Sequence, residues 1–152
     1  MTTPIKQKTV LLAGAILLVA IGVGFAQPFT PLAKGEAERL VRRFVEAFNK
    51  HDVAAMAALV SDDVQWLNVK GSTVEIETDG KAALEKGMTA YFRTCSSCRS
   101  ELESVMVAGS YVTLYERARW ESKSGPRAQR SLAVYEVRDG LIRRAWYYPA
   151  EK

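Results

Sequence analysis

Apolar residues recur along this chain in three rhythms. From Val10 to Ala26 they run on without a charge, in runs within 37–60 and 84–92 they return every third or fourth position, and from Arg99 they alternate. Ala37, Leu40, Val41, Phe44, Val45 and Phe48 make one stripe, which predicts a helix because side chains three and four apart share a face. Asp52 stands where a second helix needs its N-cap, ahead of Val53, Met56, Ala57 and Val60. Ser61-Asp62-Asp63 reads as the turn that stops it, with short strands expected at 64–69 and 74–77. Beyond Asp79-Gly80, Leu84, Met88, Tyr91 and Phe92 predict a third helix. The period-two stretches Glu101–Ala108, Tyr111–Trp120, Arg127–Val137 and Leu141–Tyr148 predict four strands. Gly109-Ser110 and Asp139-Gly140 are two-residue hairpin signals, and Lys123-Ser124-Gly125-Pro126 reads as a longer turn. Helices first and an antiparallel meander last define an α+β domain.

The uncharged run at the start spans 26 − 10 + 1 = 17 residues, follows Lys6 and Lys8, and ends in Gly24-Phe25-Ala26. A basic start, an apolar middle and small residues at a cleavage site are the order of a secretory signal. Seventeen residues also reach the lower edge of the ~17–25 that cross a bilayer, so an uncleaved tether through residues 10–26 is the alternative. The positive charges precede the run, so in either case the remainder leaves the cytoplasm. The expected division is 1–26 signal or anchor, 27–35 linker with Pro28 and Pro31, and 36–150 a single domain. The expected location is periplasmic, secreted, or membrane-anchored with the domain outside.

Charge adds little. The 152 residues carry 21 Lys+Arg against 17 Asp+Glu, a net +4, and without the first 26 the balance is 19 − 17 = +2. That is no electrostatic case for nucleic acid, and the Arg117, Arg119, Arg127 and Arg130 cluster reads as the charged edge of a sheet. The one His and two Cys leave no His-rich metal site. Cys95-Ser96-Ser97-Cys98 would form a local disulfide in an exported chain. Free thiols, a redox pair or a shared zinc site are the other readings. The redox one is disfavoured because Cys95 follows a helix instead of opening one. No cofactor or metal is implied.

The stretch from Phe44 through Asn49-Lys50-His51-Asp52, then Ala57-Ala58-Leu59-Val60-Ser61-Asp62-Asp63-Val64, and the ending Tyr135-Glu136-Val137-Arg138-Asp139-Gly140-Leu141-Ile142-Arg143-Arg144 resemble the nuclear transport factor 2-like superfamily. The resemblance covers residues 36–149 and implies a cone: a curved sheet wrapped on helices around a pocket. Steroid isomerases, SnoaL-like polyketide cyclases, limonene epoxide hydrolases and dehydratases share it, so the fold does not select a reaction. Alignment puts Phe44 at the isomerases' oxyanion tyrosine and Asn68 at their carboxylate base; neither residue can take that role. The epoxide-hydrolase constellation would fall on Glu116, Ala118 and Tyr147, and the dehydratases' paired His is not available. His51 reads as a local capping residue.

Alternation along Tyr111–Trp120 puts Val112, Leu114, Glu116, Ala118 and Trp120 on one face. A regular hairpin at Asp139-Gly140 would put Leu132, Val134 and Glu136 with Arg143, Ala145 and Tyr147, with Glu136 opposite Arg143. The other face, Ala133, Tyr135, Val137, Ile142, Trp146 and Tyr148, is then the expected homodimer surface. The resulting pocket is Phe44, Trp66, Asn68, Tyr91, Leu114, Glu116, Ala118, Trp120, Val134 and Tyr147, apt for an apolar small molecule. The sequence therefore points to an exported binding or accessory domain. The first alternative is an isomerase, cyclase or dehydratase using Glu116 as general acid or base, and the second a structural dimerisation domain.

Overall fold

The computed structural model describes residues 35–149; the signal or anchor segment and nearly all of the linker lie outside them. Among the described residues no helix is long and apolar enough to cross a membrane. The elements are α1 (Glu36–Asn49), α2 (Val53–Ala57), β1 (Val60–Lys70), β2 (Thr73–Asp79), α3 (Lys81–Thr94), β3 (Arg99–Ala108), β4 (Tyr111–Ser122), β5 (Gly125–Arg138) and β6 (Leu141–Tyr147). One six-stranded sheet runs in the order β2-β1-β6-β5-β4-β3, antiparallel except where β1 lies parallel to β6. This mixed fold of a curved sheet on helices agrees with the α+β expectation.

Local chemistry accounts for the helices. Glu36 and Glu38 occupy the first turn of α1, where the helix dipole favours negative charge. Asp52 Oδ1 accepts the Ala55 amide at 2.9 Å, the cap expected of it. The apolar stripe of α1 faces β3, β4 and β6, and α3 covers β1 and β2. Between them Phe44, Leu84, Leu114, Tyr135 and Ile142 are buried. Each such side chain contributes about 1.5–3 kcal/mol relative to leaving it in water.

Three expectations need correction. Ser61-Asp62-Asp63 does not end a helix: it lies in β1, in a stretch that slips against β6 between Val60 and Gln65. Asp62 pairs there with Lys81 at 2.7 Å and Asp63 with Arg143 at 2.6 Å. The turn at 123–126 is also shorter than expected, since Ser122 pairs with Gly125 and only Lys123-Ser124 bridge the strands. The third correction moves a whole face. Arg138 pairs with Leu141 and Val137 with Ile142, as the Asp139-Gly140 hairpin requires, but the register then slips and Glu136 meets Arg144, not Arg143. Arg143 is the extra residue of a β-bulge, and a one-residue slip sends every later side chain to the opposite face. Tyr135 therefore points inward with Ala145 and Tyr147, whereas Val134 and Trp146 point outward.

Candidate functional site

Four neighbouring strands deliver four polar side chains to one spot on the concave face. Glu116 comes from β4, Ser100 from the edge strand β3, Tyr135 from β5 and Tyr147 from β6. Ser100 Oγ donates to Glu116 Oε1 at 2.5 Å, and Tyr147 Oη donates to Glu116 Oε2. Tyr135 Oη lies 2.6 Å from Tyr147 Oη and 3.4 Å from the same carboxylate oxygen. A hydroxyl carries one proton. Since Tyr147 gives its own to Glu116, the shorter contact is best used by Tyr135 donating to Tyr147. The result is a directed chain, Tyr135 to Tyr147 to Glu116, with Ser100 closing the other side.

Glu116 has no ion pair among the described residues. The arginines that could have neutralised it are engaged elsewhere: Arg119 with Glu101 at 2.6 Å, Arg117 near Glu103 at 3.9 Å, and Arg143 with Asp63. Burial, and next the charge of Glu116, hold the Tyr135 and Tyr147 phenols well above the usual tyrosine range. Tyr91 is raised by the same two causes in the same order. All three phenols therefore stay protonated, and able to donate, at any physiological pH.

Tyr147, on this inner face, also reaches the mouth of the cone. Together with Trp66, Asn68, Tyr91, Gln129 and Ser131 it lines a cavity of about 480 Å³ at the mouth. The walls are aromatic: the Trp66 and Tyr147 rings stack at 5.7 Å and 22°, and Phe44 backs Trp66 at 5.5 Å. The rim is polar, with Asn68 Nδ2 donating to Glu77 at 2.7 Å and Lys70 paired with Glu75 at 2.5 Å. An apolar body with a few fixed polar groups is the usual character of a small-molecule site.

The structure thus gathers Trp66, Asn68, Tyr91 and Tyr147 at one cavity, with Glu116 directly behind Tyr147. Phe44 and Leu114 are buried beneath it as core. Ala118 is half-buried on the same face, opposite Ser100 and Gln129. Trp120 belongs to a separate depression with Arg127 at the far end of the sheet. Val134 is on the convex face opposite Trp146, so it leaves the pocket, and Glu136 bonds Arg144 at 3.1 Å and Arg138 at 3.3 Å there. Tyr135 and Ser100 are not foreseeable from alternation alone. Both are hidden by bulges, one at Arg143 and one between Glu103 and Met106, where Ser104 has φ 49°.

The cysteines sit beside the site. A disulfide joins Cys95 to Cys98, and Tyr91 Oη donates to Cys98 Sγ at 3.1 Å. His51, with φ 56°, stacks on Phe92 at 4.2 Å and approaches the Cys98 carbonyl and Arg99. It fixes a corner away from the cavity. No trio of His, Cys, Asp or Glu among the described residues is placed to hold a metal ion.

The curved sheet, its covering helices and an aromatic mouth define a cone domain of the nuclear transport factor 2-like class. A family model for the SnoaL-like domain matches residues 41–145, and the chain belongs to that family. Among solved structures it is similar to a candidate ketosteroid isomerase from Kribbella flavida, with a TM-score of 0.63, 16% identity, and coverage of 77% of this chain and 78% of that one. A candidate polyketide cyclase from Xanthomonas campestris pv. campestris gives 0.55 at 26% identity, covering 75% and 90%. TerC, co-crystallised with polyporic acid, gives 0.61 at 17% identity, covering 74% and 89%. No curated protein matches the sequence.

Proposed function

We propose that this domain takes an apolar, carbonyl-bearing small molecule into the mouth of the cone and moves a proton on it. The observation that carries the reading is the hydrogen-bonded chain whose middle phenol, Tyr147, lines the cavity and whose end is a carboxylate with no ion pair among the described residues. In one direction the proton of an acidified C–H passes to Tyr147 Oη while the phenol's own proton moves to Glu116 Oε2. The reverse transfer returns a proton to another position of the substrate, so the net change is an isomerisation or a ring closure and no co-reactant is consumed. Tyr135 supports Tyr147 throughout by donating to its oxygen. Neighbours of the same fold described as an isomerase and a cyclase, and one crystallised with polyporic acid, are consistent with an apolar carbonyl compound as substrate.

The test uses a flat cyclic ketone, 2-tetralone, in heavy water, with exchange of its α-hydrogens followed by NMR. The wild type should exchange them faster than buffer. Glu116→Gln should lower that rate by about 10²-fold or more, the usual contribution of a positioned acid–base group. An unchanged rate in Glu116→Gln removes the reading. A second reading, binding without chemistry, is favoured by Phe44 and Asn68 at positions where the superfamily's isomerases keep their donor and base. It predicts saturable binding of the same ketone with no exchange.

The order of the first 26 residues supports a domain displayed outside the cytoplasm, released or held by residues 10–26. The apolar convex face supports a homodimer.

A further inference from the structure

Asn49 is the last residue of α1, and its side chain reaches a strand that begins 50 positions later in the sequence. Its Nδ2 donates to the Ser100 carbonyl at 2.8 Å, and its Oδ1 accepts the Ser100 amide at 2.7 Å. Strand β3 is an edge of the sheet, so the backbone groups of Ser100 that point away from β4 have no strand to pair with. Ser100 is nevertheless 3% exposed, and buried backbone groups need partners. The Asn49 amide, one donor and one acceptor in a fixed plane, takes the place of the missing strand.

The same serine holds the carboxylate through its hydroxyl, 2.5 Å from Glu116 Oε1. The residues before it are tied down as well, by the Cys95–Cys98 disulfide and by Arg99 Nη1 on the Cys98 carbonyl at 2.6 Å. Asn49 makes no hydrogen bond to Glu116. What it fixes is the backbone from which the Ser100 hydroxyl is aimed. If that backbone shifts, Oε1 loses its donor and the carboxylate is free to turn away from Tyr147.

We infer that Asn49 is a positioning residue for Glu116, acting through Ser100; this rests on the reading of Glu116 as the proton-transfer group. Asn49 stands at a helix end that neither lines the cavity nor touches Tyr135, Tyr147 or Glu116. An Asn49→Asp variant keeps the acceptor for the Ser100 amide but loses the donor to its carbonyl, so a carboxylate is not an adequate substitute.

The test compares Asn49→Ala, Ser100→Ala and the double variant. Each is read by 2-tetralone exchange kinetics and by the carbon-13 NMR resonance of the Glu116 carboxyl. Each single variant should lower kcat by about tenfold or more, the size of one lost hydrogen bond, with KM within about twofold. The double variant should be no slower than Ser100→Ala, because both changes remove one interaction. The Glu116 resonance should move in both single variants. A resonance unmoved by Asn49→Ala, a loss confined to KM, or a double variant showing the product of the two losses overturns the proposal. Ser100→Ala leaves the backbone clamp intact and remains readable if Asn49→Ala folds poorly. Should wild type and Glu116→Gln both fail to exchange the ketone, the proton-transfer reading is the one that falls. The carboxyl resonance then still decides whether Asn49 positions Glu116.

Discussion

Tyr135 shows at the scale of one residue how a buried phenol ties function to stability. It is 1% exposed, and both burial and the nearby Glu116 charge raise its pKa well above the ordinary value of 10.0. In the unfolded chain the same phenol ionises near that ordinary value, so above it the unfolded state holds fewer protons than the folded one. The contribution to stability is therefore complete below about pH 10 and is lost as pH climbs from there toward the folded value. The expected slope is about 1.4 kcal/mol per pH unit for each such phenol. Denaturant unfolding of wild type and Tyr135→Phe between pH 8 and 11 should give curves that run parallel up to about pH 10. Above it, the wild type should fall more steeply by about that slope. Parallel curves throughout would mean that Tyr135 is wetter, or farther from a carboxylate, than its packing indicates.

At the scale of elements, periodicity foretells α1, α3 and the last four strands because each repeats its apolar spacing over two turns or more. The five-residue α2 is marked by its cap, and Val60, expected on its face, opens the eleven-residue β1 instead. What periodicity cannot foretell is the register between strands. The bulges at Ser104 and Arg143 lack glycine and carry no turn signal, and each inverts the faces beyond it. Counting outward from Asp139-Gly140 without a bulge therefore puts Val134 in the pocket and Tyr135 on the outside. Glu116 is legible, since its own strand alternates cleanly up to that point, but the partners that give it meaning are not. The bulge also allows a discriminating deletion. Without Arg143, β6 becomes a regular strand that keeps Arg144 opposite Glu136 and Tyr147 inward. The main interaction this removes is the exposed ion pair with Asp63, worth about 0–1 kcal/mol. Deleting Ala145 instead moves Arg144 to the buried place opposite Tyr135, where an unpaired guanidinium costs several kcal/mol. Near-UV circular dichroism and thermal melting should show the first variant folded and the second not. Equal loss in both would show that the bulge is essential to the sheet.

The whole molecule has two faces built on the same strands. Both inward phenols of the sheet have an outward neighbour one residue away: Val134 beside Tyr135, and Trp146 beside Tyr147. The convex surface around them presents Met106 at 62% exposure, Tyr111 at 45% and Tyr115 at 37%, with Trp146 half-buried against Tyr111 at 6.5 Å. Tyr148, which alternation assigns to this row, turns toward the mouth instead. Stable pairs of chains bury about 800 Å² on each side around aromatic residues, with arginine enriched among them. This face has the aromatics, and it has Arg138 and Arg144 on the nearly buried Glu136 to fix orientation. Sedimentation of the domain lacking residues 1–34 should therefore show a dimer at micromolar concentration. Met106→Glu with Tyr115→Glu should convert it to a folded monomer whose melting falls by what association contributed and no longer depends on protein concentration. A wild type that sediments as a monomer would remove the dimer, and the convex aromatics would then need another partner. If the dimer forms, it clamps from outside the two strands that hold Tyr135 and Tyr147. The double variant should then bind the ketone probe more weakly although it changes no residue of the cavity.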